Sequence, residues 1–232
     1  MIDFHSHVLP GVDDGSKSME QSLQMLEASV QQGVTHMVAT PHFYASRMDP
    51  DSFLDQRQKA FEQLLEQPAP MPQLLLGAEV AYFNNMSHSE AVRRFRIGQT
   101  DLVLVEMPFF QWTDRMIEDL CHLQDRQGLT PVLAHVERYR QSSQFPRYAD
   151  ELWDSGIYCQ CNGEAFEGFL ASRWALKQLR QGTVQLLGSD CHNMGQRAPK
   201  LGAAAQTIAS KLGREALERI ETLSLQLLQL DV

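Results

Sequence analysis

Two histidines one residue apart, near the start of the chain, constrain its fold more than any other feature. In the stretch Met1-Ile2-Asp3-Phe4-His5-Ser6-His7, an extended backbone puts residues i and i+2 on one face, so His5 and His7 point the same way. Two imidazoles at that spacing, with Asp14 a few residues on, form half of a metal site and need the other half from elsewhere. The chain offers His42, Glu79, Glu106, His135, Asp190 and His192, nearly all at or just beyond the end of an expected strand. In a barrel of parallel strands and helices, functional groups gather at those C-terminal strand ends, where the loops begin.

Patterning supplies the strands. After the first, the loop 8–17 is rich in Gly and Asp, and Ser18 with Gln21 fits a capping box. Met19, Leu23, Leu26 and Val30 form an apolar stripe on one helix face, and Gly33 closes that helix. The run 35–40 is a second strand leading into Pro41-His42, which makes a βαβ unit of roughly 30 residues. A helix over 50–67 precedes a third strand over 74–80 with Glu79. A helix over 84–96 precedes a fourth over 102–107 with Glu106. Met116, Leu120 and Leu123 mark a helix stopped by Gly128, before a fifth strand over 131–134 and His135. A helix over 148–155, a sixth strand over 157–161, a helix marked by Leu170, Trp174 and Leu179, and a seventh strand over 183–188 bring the chain to Asp190 and His192. From Pro199 it reads as helical. Alternating helices and apolar strands predict an α/β fold, a parallel sheet covered by helices. Seven strands favour an irregular barrel over an open sheet, and with no linker the expectation is one domain over 1–232.

Composition sets limits on partners. At 232 residues, 43% hydrophobic and 21% charged, the chain can bury a large core. A formal net charge of -9 argues against a general nucleic-acid binder. No basic and apolar leader opens the sequence, and no apolar run approaches the ~18 residues that span a bilayer. Cys121, Cys159, Cys161 and Cys191 lack CxxC spacing and read as reduced thiols. Together these predict a cytoplasmic protein without membrane insertion.

The candidate ligands are five histidines and four carboxylates with no thiolate, a mixture suited to Mn²⁺, Fe²⁺ or Zn²⁺ rather than Ca²⁺ or Cu⁺. Nine exceed one coordination sphere, so two or three ions are implied, with Glu79 well suited to bridging. Taken singly, a glutamate before a loop is usually solvated and a lone histidine usually a hydrogen-bonded structural residue. The joint pattern carries the reading. His36, His88 and His122 fall inside expected elements and read as structural or solvated, Cys191 as facing away from Asp190 and His192, and Cys159 and Cys161 as small core residues. Arg138, Arg197 and Arg47 each follow a candidate histidine, and a guanidinium fork matches phosphate oxygens.

These segments together, from His5-x-His7 and Asp14-Gly15 through Thr40-Pro41-His42, Gly77-Ala78-Glu79 and His135-Val136-Glu137-Arg138-Tyr139 to Ser189-Asp190-Cys191-His192-Asn193, resemble the PHP (polymerase and histidinol phosphatase) superfamily. Within it they are most similar to the bacterial metal-dependent protein-tyrosine phosphatases of capsule and exopolysaccharide synthesis. The resemblance implies a distorted (β/α)7 TIM-like barrel, a trinuclear site usually holding manganese, and phosphotyrosine on a partner bacterial tyrosine kinase as substrate. On this reading His5, His7, Asp14, His42, Glu79, Glu106, His135, Asp190 and His192 hold metal. Arg138 and Arg197 bind the phosphoryl group and stabilise its charge during metal-assisted hydrolysis, and Arg47 assists binding. A small-molecule phosphatase acting on histidinol phosphate is the alternative on the same barrel. A metal-dependent amidohydrolase is disfavoured because none of the five lysines ends an expected inner strand, and a non-catalytic PHP module because the ligand set is complete.

Overall fold

The computed structural model describes residues 1–109, 111–141 and 144–230, with side chains at 141 and 144–146 excepted. Its first strand, β1 (Ile2–Ser6), is buried along its whole length, as a strand covered on both faces must be. The others are β2 (His36–Ala39), β3 (His42–Phe43), β4 (Gln73–Leu76), β5 (Glu79–Ala81), β6 (Leu102–Glu106), β7 (Thr130–Leu133), β8 (Tyr158–Asn162) and β9 (Leu186–Gly188). All pair in parallel, in the orders β1-β2-β4 and β3-β5-β6-β7-β8-β9.

The chain steps from the three-stranded sheet into the six-stranded one at two places, Thr40-Pro41 and Gly77-Ala78. The strand expected over 74–80 is therefore two strands. Gly77 marks the break, where a side chain would bring a Cβ within 3.0 Å of Ile97 Cγ1. On the far side the sheet curls back. Asp190 N donates to His5 O at 2.7 Å, and His7 N to Cys191 O at 2.9 Å.

Among the described residues seven α-helices cover the sheets: α1 (Met19–Gln31), α2 (Pro50–Leu65), α3 (Asp114–Gln127), α4 (Gln144–Asp154), α5 (Phe169–Gln181), α6 (Leu201–Leu212) and α7 (Arg214–Leu227). Ser18 Oγ accepts from Gln21 N at the start of α1. The return arm of that capping box goes to Lys17 N instead of Ser18 N, at 2.7 Å. Asp49 and Thr113 cap α2 and α3 in the same way.

The helix expected over 84–96 is a correction. Two 3₁₀ turns, Met86–His88 and Glu90–Phe95, stand there instead, separated by an extended Ser89. Side chains from α3 have claimed the backbone groups that an α-helix needs. Asp119 accepts from Met86 N and Ser87 N at 2.9 and 3.2 Å, and Gln127 Nε2 donates to the carbonyls of Met86, Ser87 and Ser89. Long-range partners that satisfy the amides remove the drive to form i→i−4 bonds.

Most of the apolar core lies between sheet and helices. A smaller cluster draws Phe4, Val38, Leu104, Val132 and Leu186 from five strands. Leu104 precedes Glu106 by two residues, so one face of β6 runs from apolar to acidic toward its C-terminal end. Among the described residues no helix is long and apolar enough to cross a membrane.

Candidate metal centre

Glu79, the first residue of β5, stands at the middle of the polar end. It is fully buried, and four imidazoles surround it. Its Oε2 lies 3.2 Å from His5 Nε2, 3.3 Å from His7 Nε2 and 2.9 Å from His42 Nδ1, and its Oε1 lies 2.9 Å from His135 Nε2. Glu106 reaches His135 Nε2 at 3.3 Å. Asp190 Oδ1 lies 3.3 Å from His7 Nε2 and 3.6 Å from His5 Nε2. Asp14, exposed on the rim, is 3.5 Å from His192 Nε2 and 3.6 Å from His42 Nε2. All nine candidates read from the sequence therefore lie together. Three overlapping groups have donor atoms within 4.8 Å of one another: His7, Asp14, His42 and His192; His5, His7 and Asp190; and His42, Glu79 and Glu106.

The protonation pattern tests whether cations fit here. His5 Nδ1 faces Gln160 Oε1 at 3.1 Å, His7 Nδ1 faces Asp13 Oδ2 at 2.6 Å, and His192 Nδ1 faces the Asp190 carbonyl at 2.9 Å. Each partner is an acceptor, so each Nδ1 carries the proton and each Nε2 is left with a lone pair. The Nε2 atoms of His5 and His7 face each other at 3.0 Å, among carboxylate oxygens. Glu79 Oε2 and His192 Nε2 are buried without a hydrogen-bond partner. Lone pairs and anions converging in a buried space are repulsive unless positive charge lies between them, and the donor set suits divalent metal ions.

The titration behaviour agrees. Burial alone would lower His135, but Glu106 and Glu79 outweigh it and raise its pKa to about 9. Burial alone would raise Glu79, yet His5, His135 and His42 hold it well below the usual carboxylate range. His192 goes the other way: burial, with the charge that His7 carries when a proton stands in for a metal ion and then that of Arg197, lowers it to about 3 and keeps its lone pair available.

Local backbone explains the aim of these side chains. β1 carries a bulge between Asp3 and Ser6, where its register against β2 slips by one residue. The Asp3 carboxylate ties the bulge down, accepting from His5 N at 3.1 Å and Ser189 N at 2.8 Å. Bulges re-aim side chains, and beyond this one His5 and His7 face the same way, as their i, i+2 spacing predicts, with their Nε2 atoms 3.0 Å apart. His135 and Asp190 adopt left-handed backbone, with φ of 35° and 51°, a strained conformation for residues with a side chain. Gly15 lets its loop close on the site, since a Cβ there would sit 2.4 Å from His7 Cβ.

Both predicted phosphate-binding arginines clasp Asp190. Arg138 Nη2 donates to Oδ2 at 2.5 Å and Arg197 Nη2 to Oδ1 at 2.7 Å. Arg47 is not drawn in with them. It lies exposed, 5.7 Å over the Tyr44 ring, which stacks on His42 at 5.2 Å.

Four further residues escaped the sequence reading. Asp13, next to the chosen Asp14, orients His7 and accepts from His42 N at 2.9 Å. Asp3 pins the bulge. Gln160 and Asn162 sit on β8, which corresponds to the sixth expected strand, the one that no candidate ligand was expected to end. Gln160 Oε1 accepts from His135 N at 2.8 Å, and Asn162 Nδ2 donates to Asp190 Oδ2 at 2.9 Å. Their signal was available: two polar residues at i and i+2 alternating with Cys159 and Cys161.

Comparison with known proteins returns a consistent set. The family model for capsular polysaccharide synthesis, CpsB/CapC, matches residues 1–226. The tyrosine-protein phosphatase YwqE of Bacillus subtilis is 26% identical over 221 residues, covering 93% of this chain and 86% of its own. The tyrosine-protein phosphatase CpsB of Streptococcus agalactiae serotype III is 28% identical over 233 residues, covering 95% and 94%. A crystal structure from work on YwqE of Bacillus subtilis and CpsB of Streptococcus pneumoniae, described as unique metal-dependent tyrosine phosphatases, superposes with a TM-score of 0.87 at 25% identity, covering 100% of this chain and 96% of that one.

Proposed function

The chain belongs to the CpsB/CapC family of capsular polysaccharide synthesis, and on that premise we propose that it is a metal-dependent protein-tyrosine phosphatase. The observation that carries this reading is the convergence of His5, His7, Asp14, His42, Glu79, Glu106, His135, Asp190 and His192 on one buried, anion-rich space with two arginines at its edge. These nine would hold two or three divalent ions, manganese being the metal we assign. The fold that goes with this assignment is a single domain with a distorted (β/α)7 barrel, its seam the backbone bonds between β1 and the segment after β9.

When bound, such ions supply Lewis acidity toward phosphoryl oxygens and lower the pKa of water toward ~7. The chain itself does the positioning. Gln160, Asp13 and the Asp190 carbonyl fix the three imidazole tautomers, which keeps each Nε2 directed into the site. Arg138 and Arg197 each commit a donor to Asp190 and keep others for the equatorial oxygens of the phosphoryl group, where charge is held through the transition state. Phe109, half exposed and stacked 5.8 Å from His135, gives a tyrosyl ring an apolar wall, and Arg47 contributes at the rim. The leaving phenolate has a pKa near ~10, so departure needs little help from an acid. The substrate we assign is phosphotyrosine on a bacterial tyrosine kinase of the capsule machinery.

The test is turnover by metal-stripped protein re-supplied with one divalent ion at a time. Phosphotyrosine peptide and histidinol phosphate are compared as substrates. Recovery with manganese and preference for the peptide are expected. Preference for histidinol phosphate, or full activity without metal, overturns the reading.

A further inference from the structure

A second polar feature lies outside that set of ligands. A cleft of about 770 Å³ opens beside β4, before the chain turns at Gly77 toward Glu79, and the last residues after α7 close one side of it. Arg57 of α2 and Arg93, Arg94 and Arg96 of the second 3₁₀ turn and its end line it, with Phe61 and Leu75 beside them. None of the nine candidate ligands and no carboxylate does so. In a chain of net charge -9, four arginines in one cleft stand out against the average.

Arg57 is the telling member. It is 8% exposed, yet it has no ion pair among the described residues. Nη1 donates to Gly77 O at 2.8 Å and Nη2 to Arg94 O at 3.4 Å, while buried Nε has no partner. Burial, and then the Arg94 charge beside it, lower its pKa to about 10. It stays charged at neutral pH, and a charge taken out of water ordinarily has a counter-charge. Asp51, which does not line the cleft, pairs with Arg94 at 2.5 Å where both are exposed.

We propose that this cleft binds a phosphorylated small molecule, its anionic group held by Arg93, Arg94 and Arg96 above the buried Arg57 and its apolar part against Phe61 and Leu75. Three exposed forks over one buried cation match phosphate oxygens, and the volume falls in the roughly 300–1,000 Å³ range of small-molecule pockets. The site is separate from the metal centre and does not depend on its chemistry.

Calorimetric titration with ADP and with inorganic phosphate tests this on metal-loaded protein. Wild type is compared with Arg93→Ala/Arg96→Ala and with Arg138→Ala/Arg197→Ala. The first variant changes exposed side chains and is expected to keep wild-type melting temperature and phosphatase turnover. ADP is expected to bind the wild type more tightly than phosphate does, to weaken with added salt, and to lose at least ten-fold in affinity in Arg93→Ala/Arg96→Ala only. Undetectable ADP binding to wild type overturns the proposal, as does equal affinity in that variant, or loss confined to Arg138→Ala/Arg197→Ala. Equal affinities for ADP and phosphate overturn the apolar half of it. Should the protein prove inactive on phosphotyrosine, the ADP measurement still decides the cleft.

Discussion

Two regions of this molecule have opposite electrostatic deficits. Around Glu79, carboxylates and imidazole lone pairs crowd a buried space. Around Arg57, guanidinium groups line a cleft that no carboxylate enters. The two are also built differently. The acidic end is fixed by strand ends, a bulge and two residues in left-handed backbone, so its donor atoms are held before anything binds. The basic cleft is assembled from a helix and a 3₁₀ turn, and three of its four arginines are exposed. Preorganised polar atoms suit chemistry in which charge must be met at once, whereas exposed arginine forks adapt to a ligand that only has to be held.

The contrast can be broken first at its centre. Glu79→Gln removes the carboxylate that four imidazoles surround, and turnover is expected to fall by more than about 10³-fold, with bound metal, measured by elemental analysis, falling alongside it. An active, metal-replete variant would mean that the crowding of anions has no role. Arg138→Ala sharpens the contrast from the other side. Turnover on phosphotyrosine peptide should drop by about 10²–10³-fold while metal content holds, if this arginine meets the phosphoryl group as proposed and leaves the imidazoles alone. Asp13→Asn tests the preorganisation. Losing the charge that orients His7 is expected to weaken metal affinity by about 10–100-fold, read by competition with a chelator. The smallest effect expected is structural. Asp119→Ala leaves Met86 N and Ser87 N unpaired and should cost about 1–3 kcal/mol in denaturant unfolding, with metal content unchanged.

Much of the fold was legible because strand and helix periodicities are local. The stripe from Met19 to Val30, its cap at Ser18 and its stop at Gly33 can be read from a dozen letters, and α1 runs as they say. The region 84–96 was not legible. Its composition allows a helix, but Asp119 and Gln127, some 30 to 40 residues on, take the backbone groups, and no local pattern announces that. The split of the third strand has the same character. Gly77 is a glycine because Ile97 packs where its side chain would be.

For the site, nine chemistry-bearing residues were readable because metal chemistry limits which side chains can serve and parallel topology limits where they stand. Which acid of Asp13-Asp14 turns inward to His7 was decided by the loop that Gly15 allows to close on that residue. That Gln160 and Asn162 hold His5, His135 and Asp190 in place was decided by β8 lying between β7 and β9. The sequence by itself determined the kinds of donor and their order along alternating strands and helices, because residue chemistry and periodicity are properties of the chain. Tertiary structure alone decided which donors share a partner and which cations are left without one, because hydrogen bonds and buried charges are settled by neighbours that only packing brings within reach.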